Sequence, residues 1–355
     1  MKPSLNLVSS YPIGTGIYRV FENYSHLGFY AGLYYIPSIN SSNVSVSVKP
    51  LYSEIKPKIL AKRAAYISSF YLGKTWTRKI GDKYIHVLEP GFFHLSKFGI
   101  PTIGTVHDLY PLNPHTSSGY SNVYRYFYKK DMDYIRNLLG ITTISKNTEK
   151  DLHKFYPNLK ITTIRHWTQD YFVPHNKNSC REHLNMPQSK IILLNVSFSS
   201  NNKNIEFLGE LMDLLDDNFL LIYLGNGEIH NIHKNRVKKL EGFLDNNTLV
   251  ELYNSADIYL APSTSEGFNF PIIEAVNCGV PVIASKIPIF EEVLFNSPYL
   301  LPLEKETWVN EIVSLANKQR AIDARSWYEV NIGNYYREKR GKQEFTNFFK
   351  SLDLI

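Results

Sequence analysis

The chain has 355 residues, 43% of them hydrophobic and 20% charged, with a formal net charge of +6. That length is enough for two globular domains with sizeable cores, and the balance excludes a disordered or low-complexity protein. Only Cys180 and Cys278 occur, far apart and outside any Cys/His cluster, which excludes a disulfide framework and a structural zinc site.

The start, "MKPSLNLVSSYPIGTG", meets Pro and Gly before a signal-peptide apolar core forms, and no later run reaches bilayer-spanning length. The expectation is a cytoplasmic protein with membrane contact at most peripheral. Short apolar runs then alternate with helix-like segments. "SLNLVSS", "YIHVLEP", "PTIGTVHD" and "GITTISK" precede "KIILLNVSF", "NFLLIYLG" and "VPVIASK". These runs are continuous rather than alternating, as in strands of a parallel sheet covered by helices on both faces. Helices are predicted over 120–139, 205–215 and 248–255. The basic segment 56–67, "KPKILAKRAAYI", reads as a solvated amphipathic helix, with an anionic lipid surface as its other use. "DMD" at 131–133 falls in a predicted helix, so a solvated or salt-bridged face is expected there and no metal. The polar stretch 167–190 interrupts the strands and marks the domain boundary. The fold class is therefore α/β, with two domains, 1–170 and 171–326.

The stretch 263–285, "STSEGFNFPIIEAVNCGVPVIAS", carries the densest chemistry. Pro271 suits a first helical turn and Gly279 the position just past a helix end, so a helix is predicted from Pro271 to about Cys278. Its N-terminus presents the amides of Gly267, Phe268 and Asn269 together with the positive end of the helix dipole, a site for an anion or a sugar oxygen. Glu266 stands at that mouth and Glu274 further along the helix. Two carboxylates so spaced fit hydrolase catalysts, metal ligands, or handles for the hydroxyls of a sugar and a ribose.

Residues 242–292 resemble the donor-binding region of the retaining GT-B glycosyltransferases of family 4. The resemblance rests on the Leu/Tyr/Ala-Asp run of "LVELYNSAD", the Pro-Ser before the loop, Glu266-Gly267-Phe268, and the pair ending at Glu274. It continues in "GTG" at 14–16, "TVHDLYP" at 105–111, "TTISKNTEKDL" at 142–152 and "NNKN" at 201–204. It implies two Rossmann-like domains with parallel sheets facing across a cleft, the first on the acceptor side and the second binding the nucleotide sugar, with a tail helix from about 327 to 355 crossing back onto the first. The implied activity is transfer of a hexose from a UDP- or GDP-type donor to an acceptor hydroxyl, with retention of configuration. No cofactor and no divalent metal are implied. The acceptor is a saccharide, lipid or protein, and no nucleic-acid partner is expected.

Residue by residue, the resemblance gives Lys203 the leaving diphosphate, His107 a donor-sugar contact near the reacting carbon, Glu266 the donor-sugar hydroxyls and Glu274 the ribose hydroxyls. Asp108 is placed to orient the His107 ring. Gly14, Thr15 and Gly16 allow close backbone approach to a diphosphate. Gly225, Gly242 and Phe243 resemble positions around the nucleotide. Phe198 stands where the family usually has an arginine, which leaves a second cationic contact unassigned. Arg19 occupies the third glycine position of a dinucleotide fingerprint, so NAD is not expected. Two other readings remain at this level: a catalytically degenerate protein that binds a nucleotide sugar or a partner, and a glycoside hydrolase using Glu266 and Glu274 as its pair.

Overall fold

The structure is a computed structural model that describes residues 5–9, 16–35, 49–50, 84–112, 122–197, 200–230, 234–242, 244–333 and 335–355. Gly14, Thr15, Phe198, Phe243 and the basic segment 56–67 lie outside the described residues. The chain divides into two compact units, Met1–His166 with Lys339–Ile355, and Trp167–Glu338. Against the expected limits of 170 and 326, the divisions fall after His166 and after Glu338.

The first unit is built on seven described strands: β1 (Leu5–Ser9), β2 (Tyr30–Tyr35), β3 (Lys49–Pro50), β4 (Tyr84–Val87), β5 (Thr102–Val106), β6 (Gly140–Thr143) and β7 (Thr162–Thr163). Their order is β3-β2-β1-β4-β5-β6-β7, and every pairing is parallel. Parallel neighbours need crossover connections, which α1 (Gly16–Ser25), α2 (Asn122–Met132) and α3 (Lys146–Phe155) help to supply. Ser145 caps α3 by accepting from the Thr148 amide.

The predicted helix over 120–139 is shorter than expected. It ends at Met132 and tightens into a 3-10 turn, Asp133–Asn137. The reason lies in Asp131, which is fully buried and takes both the His94 amide at 2.8 Å and the His94 Nδ1 at 2.9 Å. Of the solvated or salt-bridged face expected at 131–133, Asp131 takes the paired form, buried against His94, while Asp133 is exposed. The last helix, α11 (Glu338–Lys350), closes this unit. Phe345 meets Tyr24 edge-on at 4.5 Å and Phe349 meets Phe29 at 5.3 Å. Phe348 and Leu352 occupy the space a Cβ at Gly140 would fill, so β6 accepts this helix through a glycine. Burying each phenylalanine is worth about 1.5–3 kcal/mol.

The second unit contains β8 (Ile191–Val196), β9 (Phe219–Leu224), β10 (Val237–Leu240), β11 (Ile258–Ala261), β12 (Val282–Ser285) and β13 (Leu300–Leu301). Their order is β10-β9-β8-β11-β12-β13, again all parallel. Between and around the strands lie α4 (Lys177–His183), α5 (Ile205–Leu214), α6 (Asn246–Ser255), α7 (Phe270–Asn277), α8 (Pro288–Val293), α9 (Lys305–Leu315) and α10 (Lys318–Asn331). Asp245 caps α6 through the Asn247 and Thr248 amides. The helix predicted from Pro271 is α7, and Gly279 leaves it with φ 73. The amides of Gly279 and Val280 return to Val276 and Ala275, which closes the helix end in the manner a left-handed glycine permits. The strand order reverses direction between β8 and β11, and open parallel sheets bind ligands at the carboxyl ends of the strands beside such a reversal.

Candidate functional site

The loops that leave β8 and β11 are stapled together. The Thr264 amide donates to the Asn202 carbonyl at 2.8 Å, and Asn202 Nδ2 donates to the Ser265 carbonyl at 2.8 Å. Ser285 Oγ on the neighbouring strand end donates to the Ser263 carbonyl. Lys203 closes the short 3-10 turn Asn201–Lys203, and Asn204 at φ 51 redirects the chain into α5.

This stapling brings Lys203 and Glu266 together. Lys203 Nζ stands 2.6 Å from Glu266 Oε1, with the lysine side chain 21% exposed and the glutamate 7%. Ser263 Oγ at 2.7 Å and Asn269 Nδ2 at 3.0 Å donate to the same oxygen. Three donors therefore converge on Oε1, while Oε2 has no partner among the described residues. An ammonium carries three N–H donors, so Lys203 keeps two for another ligand. The arrangement holds one carboxylate oxygen fixed and offers the other to a hydroxyl.

Asn269 completes the mouth. It precedes α7 at φ 72, a left-handed conformation that asparagine tolerates, and its side chain does not cap the helix because it is turned to Glu266. Its Oδ1 is buried without a hydrogen-bond partner. An unmet buried acceptor costs about 1–3 kcal/mol, a cost a ligand donor would remove. Gly267 lies half-buried in the same loop. Phe268 is buried at 3% exposure, edge-on to Phe270 at 5.3 Å and to Tyr336 at 5.5 Å, so its ring anchors the loop and only its backbone faces a ligand site.

Glu274 sits apart from this mouth. It is 1% exposed, and its Oε2 accepts from the Tyr253 hydroxyl at 2.6 Å. Tyr259, whose hydroxyl donates to the Val196 carbonyl at 3.2 Å, is pushed up by burial, with the fields of Glu274 and Glu266 both adding. The two carboxylates thus flank one buried tyrosine rather than sharing a single open surface.

At the end of β9, the Gly225 amide donates to the Leu240 carbonyl at 3.1 Å. A Cβ there would collide with the Ser197 carbonyl and the Tyr223 hydroxyl. That hydroxyl donates to Ser197 at 3.1 Å and accepts from the Gly227 amide at 3.1 Å, so it ties the loop after β9 to the one after β8. Gly242 follows β10 at φ 88 with open space where a Cβ would stand. Sequence reasoning missed Tyr253, Tyr223, Ser263 and Asn202, the residues that hold the others.

In the first unit, His107 follows β5. Its ring bonds to the Leu88 backbone and lies nearly parallel to His166, with centroids 5.5 Å apart. Its Nε2 is buried without a partner among the described residues. Burial lowers His107 to about 4, against the Leu88 bond that raises it, so the imidazole is neutral at pH 7. Asp108 turns to its own backbone, where Oδ1 accepts from the Tyr110 amide at 3.1 Å, and the observed ring partner is Leu88. Gly16 is the first residue of α1. Among the described residues, no group of three or more His, Cys, Asp or Glu side chains is arranged to hold a metal ion, and no helix is long and apolar enough to cross a membrane.

Two all-parallel α/β units with a loop site at the strand-order reversal define the GT-B fold class. Solved structures share it over nearly the whole chain. A glycosyltransferase from Rickettsia africae has a TM-score of 0.71 at 17% identity, covering 99% of this chain and 98% of its own. The Anabaena protein Alr3699/HepE, solved in complex with UDP-glucose, has a TM-score of 0.75 at 15% identity, covering 98% and 100%.

Residues 176–319 match the family described as glycosyl transferases group 1. Among curated proteins, the Escherichia coli O-antigen biosynthesis glycosyltransferase WclY is 28% identical over 187 residues, 51% of this chain and 52% of that protein. The O-antigen chain mannosyltransferase RfbU of Salmonella typhimurium is 27% identical over 230 residues, 61% and 62% of the two chains. The chain therefore spans about half to three fifths of the length of these relatives.

Proposed function

We propose that this protein is a glycosyltransferase that moves a hexose from a UDP- or GDP-linked donor to an acceptor hydroxyl, with retention of configuration and without a divalent metal. The observation that carries this is the Lys203–Glu266 pair beside the N-terminus of α7, with Glu266 Oε2 and Asn269 Oδ1 both lacking partners among the described residues. The family match over 176–319 and the UDP-glucose complex of Alr3699/HepE support a nucleotide-sugar donor. The names of WclY and RfbU support a saccharide acceptor, of the kind assembled into surface polysaccharide.

In this mechanism the departing diphosphate is held by two N–H groups of Lys203 and by the amides at the start of α7, whose dipole favours negative charge. The lysine is already fixed by Glu266, so little reorganisation is needed as charge develops. Glu266 Oε2 accepts from a hydroxyl of the donor sugar. Glu274 holds the ribose hydroxyls after leaving its bond to Tyr253. The resemblance assigns His107, neutral and with Nε2 unpartnered among the described residues, a hydrogen bond to the donor sugar, and assigns Gly14, Thr15 and Gly16 to the diphosphate. A leaving phosphate oxygen takes the acceptor proton on the face where the new bond forms, which gives retention.

The hydrolase alternative is disfavoured by Glu274, whose 1% exposure and Tyr253 bond are unlike a carboxyl that must address water or a glycosidic oxygen. The test is turnover of UDP- and GDP-hexoses with saccharide acceptors in EDTA, with the product anomer assigned by NMR. A product of unchanged anomeric configuration formed in EDTA is expected. An inverted product, or turnover that requires added metal, would overturn the proposal.

A further inference from the structure

At the other end of α7 from the donor loop, an open cavity of about 550 Å³ lies within the second unit. It falls in the size range of small-molecule sites, roughly 300–1,000 Å³. α7 spans eight residues, so this cavity and the donor loop are separated by about 12 Å of helix.

Its lining is cationic. Lys177, Arg325 and Arg337 all face it, and Glu329 is the single carboxylate among the described residues that line it. Arg325 makes no hydrogen bond or ion pair among the described residues, and its Nε is buried without a partner. Glu329 stands one turn along α10 from Arg325, yet no ion pair joins them. Lys177 is held 2.5 Å from Asp257, and Arg337 spends one N–H on the Phe172 carbonyl at 3.1 Å, which leaves most of its guanidinium fork available.

An alternative explanation for these cations is the negative end of the α7 dipole. That end is already satisfied, because the Cys278, Gly279 and Val280 amides bond to Glu274, Val276 and Ala275. Like charges also crowd here at a cost: burial lowers the Lys177 ammonium, with Arg325 and Arg181 adding to the effect against the pull of Asp257. A half-buried guanidinium whose Nε is enclosed and has no partner among the described residues, beside other cations, fits an anion site. Pro174, Val276 and Val280 supply an apolar wall beside it, suited to the uncharged body of a ligand.

We infer that this cavity binds a small organic phosphate, with Arg325 and Arg337 on the phosphate group, at a second site independent of the donor loop. Guanidinium groups match phosphate oxygens through paired N–H donors, and such charge-assisted bonds are about twice as strong as neutral ones. The inference does not depend on the transferase activity, since none of these side chains belongs to the donor loop.

The test is calorimetric titration of the full chain with inorganic phosphate and with a hexose 6-phosphate, up to about 10 mM. The expected result is binding of both, tighter for the hexose phosphate. Arg325→Ala should weaken it by at least about tenfold, Arg325→Lys less, and Lys203→Ala by less than about twofold. Arg325→Lys with an unchanged melting curve separates loss of the ligand from loss of the fold. Absence of binding, loss of binding in Lys203→Ala rather than Arg325→Ala, or equal affinity for the two probes would each overturn the inference as stated.

Discussion

Replacing Lys203 by alanine separates a structural from a catalytic role for the ion pair. At 2.6 Å from Glu266 Oε1, the gross attraction is about 6 kcal/mol at an effective dielectric constant of about 20. Desolvation of the two groups offsets most of it, and the lysine is a fifth exposed, so the expected loss of stability is about 1–2 kcal/mol. Glu266 keeps Ser263 and Asn269 as donors, which limits the damage to the fold. The loss of transition-state stabilisation should be larger, because no other cation among the described residues bonds to Glu266 at the loop mouth. Removing one preorganised donor to a developing anion costs about 10²- to 10³-fold in turnover, roughly 2.7–4 kcal/mol. The assay is release of nucleoside diphosphate from the donor, to acceptor or to water, with a melting curve measured on the same preparation. Lys203→Arg should recover part of the rate. A folded Lys203→Ala enzyme that turns over within about threefold of wild type would refute this role for the lysine.

Other expectations follow from single contacts. Gly225→Ala should destabilise the second unit by about 1–3 kcal/mol in urea unfolding, because the new methyl meets the Ser197 carbonyl and the Tyr223 hydroxyl; an unchanged midpoint would mean the loop gives way freely. Tyr253→Phe removes a donor from the buried Glu274 and should cost about 1.5–3 kcal/mol, with Tyr253→Phe/Glu274→Gln less unstable than the sum of the two single variants. Burial holds His107 at about 4 and His86 at about 3, below the unfolded value near 6.5, so between these values the unfolded chain binds more protons. Stability is therefore full above about pH 6.5 and falls towards pH 4, with His107 alone accounting for about 3 kcal/mol of the loss. Urea midpoints between pH 7 and 4.5 should drop, and His107→Gln should flatten the slope; a pH-independent midpoint would contradict the burial argument.

Much of the fold was legible because strands buried on both faces are written as continuous apolar runs. "KIILLNVSF" and "NFLLIYLG" became β8 and β9 at the centre of the second sheet. The strands left unread include β3, β7, β10 and β13, the edges of the two sheets. These edge strands are two to four residues long, and all but β13 are polar; β10 carries Lys238 and Lys239, a pattern that discourages pairing with another chain and hides the strand from an apolar search. β2 was missed for a different reason, since "YAGLYY" mixes aromatics with a glycine. The donor loop was legible through Pro271 and Gly279, which bound α7. Its supports were not, because Tyr253 and Tyr259 stand at helix and strand positions that read as ordinary core. The approach of Lys203 to Glu266 is likewise a product of tertiary stapling through Asn202 and Thr264, invisible to local spacing, whereas Ser263 and Asn269 each stand three residues from the carboxylate they bond.

The central claim is that the second unit recognises a nucleoside diphosphate through Lys203 and the start of α7 without a metal ion. Calorimetric titration with UDP and GDP in EDTA, on wild type, Lys203→Ala and Glu274→Ala, addresses it most directly. One diphosphate should bind wild type, and each substitution should weaken it by about tenfold or more, equivalent to about 1.4 kcal/mol. Absence of binding to wild type, or binding that appears only with added divalent metal, would contradict the account.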